Sequence, residues 1–244
     1  MNTIFSLLKQ EEKIVLPDVS LCAIVRDEII NPAGGIERFV ESHVPYVEEA
    51  VIADTGSVDG TREKLEELQA KYKNLKIVDF PFINYADARN KSLSFVKTKK
   101  ALVLDADELI THKTPNNDWK RLFDFMNQYN KEAYIFDFLG ISPDRENFLD
   151  FDAHFIRLFT LSKKRRFVND VGEHMRNLAG FHTNEILIKH FVPSMSALEL
   201  KKQNWYVLYN IPGLDRLNQW SKGPSKVEGF AEWKAYNPKR DNYI

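Results

Sequence analysis

The chain has 244 residues, a formal net charge of −1, 43% hydrophobic residues and 28% charged residues. That balance fits one large globular domain with a real core. It excludes a disordered chain, and one drawn to nucleic acid or anionic lipid by its overall field. The single cysteine, Cys22, rules out an intramolecular disulfide and fits a reducing compartment. No apolar run approaches the ~20 residues that a membrane-spanning helix needs, and Met1 to Gln10 lacks the basic leader and cleavage site of a signal peptide. A soluble, cytoplasmic protein is expected, with peripheral attachment to a membrane left open.

Strand and helix patterns alternate through the first half. Ser20 to Val25 is a continuous apolar run that stops at Arg26-Asp27-Glu28, as a strand buried on both faces does. Cys22 lies inside it and reads as a buried structural thiol. A helix is expected from Ile36 to Ser42, and a second strand over Ala50 to Ala53, ended by Asp54-Thr-Gly-Ser-Val-Asp-Gly-Thr61. In that turn Gly56 and Gly60 permit tight bends, and Asp59 or Thr61 is expected to cap the helix that follows. Leu65, Leu68 and Tyr72 give this helix an apolar stripe. Leu75 to Phe80 reads as the third strand, Tyr85 to Val96 as a helix, and Ala101 to Leu104 as the fourth strand, running into Asp105-Ala-Asp-Glu108. Trp119, Leu122, Phe123, Met126 and Tyr129 recur at helical spacing and read as core.

The second half is strand-rich, with strands expected over 133–141, 151–160, 166–175 and 185–191. Ser196-Ala-Leu-Glu199 is a capping-box pattern opening a last helix. Together these patterns predict an α/β fold with a mixed, mostly parallel central sheet flanked by helices, plus a smaller antiparallel sheet. Residues 1–211 read as a single domain in two halves, 1–110 and 111–211. Residues 212–244 read as an irregular tail packed on that body.

In open α/β sheets, ligands bind beyond the carboxyl ends of the strands. The segments Arg26 to Glu28, Asp54 to Thr61 and Asp105 to Glu108 all fall at such ends. Asp105 and Asp107 offer hard oxygen ligands suited to Mg²⁺ or Mn²⁺ bridging to a diphosphate. Asp54 stands where it can accept a hydrogen bond from a base or ribose. Three basic clusters, Lys97/Lys99/Lys100, Lys163 to Arg166 and Lys201/Lys202, read as solvated faces or turns, or as contacts to phosphate or an anionic acceptor.

Four motifs in this order resemble the family 2 glycosyltransferases of GT-A fold: Ser20 to Glu28, Asp54 to Thr61, Ala88-Arg-Asn90, and Leu104-Asp-Ala-Asp-Glu108. Farther on, Arg157-Leu-Phe159, Val171-Gly-Glu-His-Met175 and Lys189-His-Phe191 resemble family members in which a glutamate serves as base. The resemblance implies a metal-dependent, inverting transfer from a nucleoside-diphosphate sugar, with uracil or a similar pyrimidine as the base, to an acceptor hydroxyl on a saccharide or glycoconjugate. It makes 1–110 the nucleotide-sugar-binding half and 111–211 the half that holds the acceptor and the catalytic base. It implies that Asp54 and the backbone up to Val25 meet the nucleobase, and that Arg89 lies near the diphosphate or holds the loop. Asp105 would meet ribose or metal, Asp107 would ligate the metal, and His190 would add a metal or diphosphate contact. Glu173 would be the general base; Gly172 stands where that subgroup has histidine, which keeps Asp170 as the alternative base. The competing readings are transfer to a modified nucleic-acid base, a nucleotidyltransferase, and a nucleotide-binding module without catalysis.

Overall fold

The computed structural model describes residues 14–29, 35–110, 115–141, 147–169, 173–175, 178–191 and 233–235. The first half alternates as expected. Strands β1 (Leu16–Val25), β2 (Val47–Asp54), β3 (Leu75–Asp79) and β4 (Lys100–Val103) are separated by helices α1 (Ile36–His43), α2 (Thr61–Lys71) and α3 (Tyr85–Leu93). A single 3₁₀ turn, Val44–Tyr46, leads from α1 into β2. The four strands lie in the order β3-β2-β1-β4, all parallel. The apolar runs of β1, β2 and β4 are buried on both faces, and this is why they lack the alternation of a half-solvated sheet; β3, at the edge, is only partly buried.

The second half completes the same sheet. Its elements are β5 (Glu108–Leu109), α4 (Pro115–Tyr129), β6 (Ala133–Ile141), β7 (Asn147–Thr160), β8 (Phe167–Val168), β9 (His174–Met175), β10 (Phe181–Phe191) and β11 (Trp233–Ala235). Beyond β4 the order continues β7-β6-β10-β5, with antiparallel pairing except between β6 and β10. Strands β8 and β9 form a separate two-stranded antiparallel sheet.

Two expectations need correcting. The strand expected over 166–175 is two short strands instead, because Asn169 takes a left-handed backbone (φ 76°) that breaks the run. The tail after Pro212 is not wholly irregular, since β11 pairs antiparallel with β7. The helix expected from Ser196, and with it Lys201 and Lys202, lies outside the described residues.

One large core cluster joins Leu21 and Ile52 to Phe39, Leu65, Trp119, Phe136 and Leu158. Trp119 and Leu122 are fully buried and Phe123 and Met126 half-buried against the core, as their helical spacing implies, but Tyr129, the last residue of α4, is exposed and not core. A second cluster takes in Cys22, Ala86, Val103, Phe159 and Phe167, with Leu93 of α3 against it. The sheet is therefore covered by α1, α2 and α4 on one side and by α3 with the β8–β9 hairpin on the other. Burial pushes the Cys22 thiol up to about 12, which makes it inert packing.

The β6–β7 ladder slips at two points, between Tyr134 and Ile135 and between Asp137 and Leu139, and the first of them bears on the site. Tyr134 faces Leu158, but Ile135 faces Ile156, so Arg157 opposes no residue of β6. Such a bulge re-aims a side chain. Here it brings Arg157 over the rings of Phe138 and Phe155 and toward the loop after β4.

Candidate functional site

The order of strands reverses at β1, which is flanked by β2 and β4, and the crevice beyond their carboxyl ends is where an open sheet binds ligands. The loops after β1 and β2 are knitted together there. Val25 O accepts both Thr55 N and Thr55 Oγ1 at 3.0 Å. Arg26 Nη1 donates to Thr55 O at 3.0 Å, and Val58 N donates to Asp27 Oδ1 at 2.8 Å. Thr61 Oγ1 accepts Glu28 N at 2.8 Å, so it ties the two loops together and does not cap α2. Asp59 Oδ1 accepts Thr61 N at 2.9 Å, while Gly60 (φ 96°) holds the N-cap position without a side-chain bond.

Asp54 ends β2 inside this network. Its Oδ1 accepts Gly56 N at 2.7 Å and Ser57 N at 2.8 Å. Gly56 makes this turn possible with φ 103°, a conformation that side-chain-bearing residues seldom adopt. The other oxygen, Asp54 Oδ2, is buried and has no hydrogen-bond partner. A desolvated carboxylate oxygen left in that state is costly until a donor reaches it.

The segment after β4 carries the acids. Asp105 and Glu108 close a turn, with Glu108 N donating to Asp105 O at 2.9 Å and Asp105 N donating to Glu108 Oε2 at 3.0 Å. Strand β5 then pairs with β10, so that Glu108 faces His190, and Phe191 N donates to Asp107 O at 2.8 Å. This pairing sets His190 Nε2 3.7 Å from Asp107 Oδ2, both side chains about one-fifth exposed. A carboxylate and an imidazole facing each other at that distance could supply two ligands to a divalent cation.

Asp105 is engaged differently. One of its oxygens accepts Arg89 Nη2 and the other accepts Arg157 Nη2 at 3.3 Å. Burial opposes the Asp105 charge, but the two guanidiniums outweigh it and hold the carboxyl below the usual range. Arg157 also bonds Glu108, which is almost fully buried. Burial is the main cause that pushes the Glu108 carboxyl up, reinforced by Asp105 and Asp107 and opposed by Arg157.

Arg89, on α3, links the two ends of the site. Its side chain is 4% exposed, and besides Asp105 it reaches Glu173 Oε1 from Nε at 3.1 Å. Asn84 caps α3 by accepting Asp87 N at 2.7 Å, which fixes the helix that aims Arg89. Burial opposes the Arg89 charge, and Asp105 and Glu173 more than restore it. Tyr85, one turn earlier, feels the same acids: burial first, then Glu173 and Asp105, push its phenol up to about 12.

The structure thus brings together Arg89, Asp105 and Glu173, and separately Asp107 and His190; Val25 and Asp54 lie side by side in register on β1 and β2. Asp170 and Gly172 lie outside the described residues. Sequence reasoning missed Glu108, Tyr85 and the grip of Arg157. The available signal for Arg157 was an arginine set in the aromatic run Phe155 to Phe159.

Among the described residues no helix is long and apolar enough to cross a membrane. No curated protein matches the chain significantly in sequence. Among solved structures, S. aureus TarS residues 1–349 in complex with UDP is similar at 18% identity and a TM-score of 0.42, over 50% of this chain and 36% of that one. The mannosyltransferase PcManGT from Pyrobaculum calidifontis, in complex with GDP-Man and Mn²⁺, is similar at 14% identity and a TM-score of 0.54, over 81% of this chain and 65% of that one. The chain therefore spans less than two thirds of either protein. The family described as glycosyl transferase family 2 matches residues 29–196. With the mixed sheet, the acidic loop after β4 and the GT-A-like architecture in agreement, the chain belongs to glycosyl transferase family 2.

Proposed function

We propose that the chain transfers a sugar from a nucleoside-diphosphate sugar to an acceptor hydroxyl, by one in-line displacement that inverts the anomeric carbon. The observation that carries this reading is the buried, unpartnered Asp54 Oδ2 at the tip of β2. Its sister oxygen is already taken by two backbone N–H groups, so one further donor is wanted. The single N3–H of uracil answers that need; the paired donors of a guanine edge ask for both oxygens of a carboxylate. Val25 and its neighbours on β1 would line the same pocket.

Asp107 and His190 would hold Mn²⁺ or Mg²⁺, with the donor's diphosphate and water completing the shell. Such an ion, when bound, offsets the negative charge that grows on the departing nucleoside diphosphate. Asp105, held by Arg89 and Arg157, would meet the ribose or the metal. Glu173 is proposed to take the proton of the acceptor hydroxyl as its oxygen bonds the anomeric carbon and the carbon–diphosphate bond breaks. Arg89 positions that carboxylate; Asp170 is the alternative base. The acceptor is proposed to be a saccharide or glycoconjugate. The mannosyltransferase that shares this fold is bound to GDP-Man and Mn²⁺, the same classes of donor and ion.

A thermal-shift panel tests the reading, with UDP, dTDP, GDP and CDP, each with and without Mn²⁺, on wild type and Asp107→Ala. A ligand at ~100 times its Kd adds about 2.7 kcal/mol of stability. The expected result is a Mn²⁺-dependent shift largest for UDP and lost in Asp107→Ala. A larger shift with GDP would overturn the uracil assignment, and no shift with any nucleotide would overturn the donor site.

A further inference from the structure

Asp137, His154 and His182 stand on three neighbouring strands, β6, β7 and β10, and belong to none of the contacts of the donor site. His154 Nδ1 lies 2.6 Å from Asp137 Oδ1, His182 Nε2 lies 2.9 Å from the same oxygen, and the two nitrogens are 3.3 Å apart. Asp137 and His154 are directly paired across the ladder, which points their side chains to one face. All three side chains reach solvent in part.

As hydrogen bonds, both contacts to Asp137 need a proton on each facing nitrogen, with the oxygen accepting one on each lone pair. A cation among the three atoms lets each use a lone pair instead. The dimensions suit this. A triangle with these edges has its corners about 1.7 Å from its centre, so an ion ~1 Å above its plane lies about 2.0–2.1 Å from each, the ordinary zinc–nitrogen and zinc–oxygen distance. Two imidazoles and one carboxylate are a borderline donor set, which favours first-row transition metals over Mg²⁺ or Ca²⁺.

The place in the fold suggests a use. The β10–β6 ladder runs unbroken from Leu187 to Phe191, then slips before His182, which faces Ile135. The outer end of β10 is thus held apart from the rest of its ladder. Close by, a Cβ at Gly180 would stand 2.4 Å from Ile135 Cγ1, so the chain passes tightly over β6 just before His182.

We propose that Asp137, His154 and His182 bind a divalent transition-metal ion, with Zn²⁺ as the representative, which clamps the outer end of β10 to β6 and β7 independently of the donor site. Isothermal titration with Zn²⁺ alone, on the tag-free chain without nucleotide, tests this in wild type, His154→Ala, His182→Ala, Asp137→Asn and Asp107→Ala. About one Zn²⁺ per chain is expected, with Kd raised tenfold or more in each triad variant and unchanged in Asp107→Ala. Circular dichroism shows whether each variant is folded, and the isosteric Asp137→Asn serves if a histidine variant is not. Absence of Zn²⁺ binding in wild type overturns the proposal. So does binding that survives all three triad substitutions, or that Asp107→Ala abolishes.

Discussion

Arg89 donates to Glu173 at 3.1 Å and, from the other end of the same guanidinium, to Asp105. The acid proposed to deprotonate the acceptor and an acid of the donor loop therefore depend on one buried cation. Removing it strands Glu173 and leaves Asp105 with Arg157 alone. Arg89→Ala is expected to cost about 3 kcal/mol in urea denaturation, the low end for a broken buried pair because Asp105 is partly exposed. Arg89→Lys restores the charge without the fork that reaches both acids, so it should recover stability more than turnover. Equal recovery of both would count against a positioning role.

Asp54→Asn separates nucleotide binding from folding. Asparagine keeps an oxygen for the Gly56 and Ser57 amides but presents an N–H₂ group where Oδ2 stands. The variant should unfold within about 1 kcal/mol of wild type while binding UDP ten- to a hundredfold more weakly, since two donors then face each other. Undiminished UDP affinity by titration calorimetry would place the base elsewhere.

His43 predicts the acid limb of stability. Its ring is fully buried, Nδ1 lies 2.7 Å from Phe39 O, and Ile110 N donates to Nε2 at 3.3 Å. That pattern describes the neutral tautomer with the proton on Nδ1. Burial lowers the His43 pKa from 6.5 to about 4. Between those values the unfolded chain binds a proton that the folded chain refuses, so the His43 contribution falls as pH drops through that window and is flat above it, while the raised Glu108 carboxyl acts in the opposite sense. The loss approaches about 3 kcal/mol at the bottom. The stability of wild type relative to His43→Asn, from urea midpoints at pH 7, 5.5 and 4.5, should fall as the pH drops.

The Cys22 thiol, buried in β1 and pushed up to about 12, should not react with an aromatic disulfide reagent at pH 8 until the chain is unfolded. Rapid labelling of the native chain would mean that β1 opens locally, because only a solvated thiolate reacts.

Strands β1, β2 and β4 were legible because a strand covered on both faces writes itself as an uninterrupted apolar run, and each run stops where the chain reaches the crevice. The limits of β6 were read to the residue. What escaped was non-local or conformational. Nothing in the residues around Asn169 announced a left-handed turn between two short strands. Arg89 and Glu173 are 84 positions apart, and only the packing of α3 makes them neighbours. Asp54, Asp105 and Asp107 could be singled out because strand tips concentrate polar side chains. Asp137, His154 and His182 could not, because each sits alone in its own strand and no spacing along the chain relates them.

The bulge at Arg157 separates two things that a regular strand would bind together. In an unbroken ladder, changing which way a residue faces reverses every residue beyond it. Here a surplus residue reaches the acids while Leu158 and Ile156 keep their partners across the sheet. Insertion and substitution at this position are therefore different events. Exchanging Arg157 for an apolar residue would remove the cation and keep the kink, whereas deleting it would straighten the ladder and take the cation away in one step. A chain one residue shorter at this point would keep its strand pairing and lose the clamp on its acidic loop.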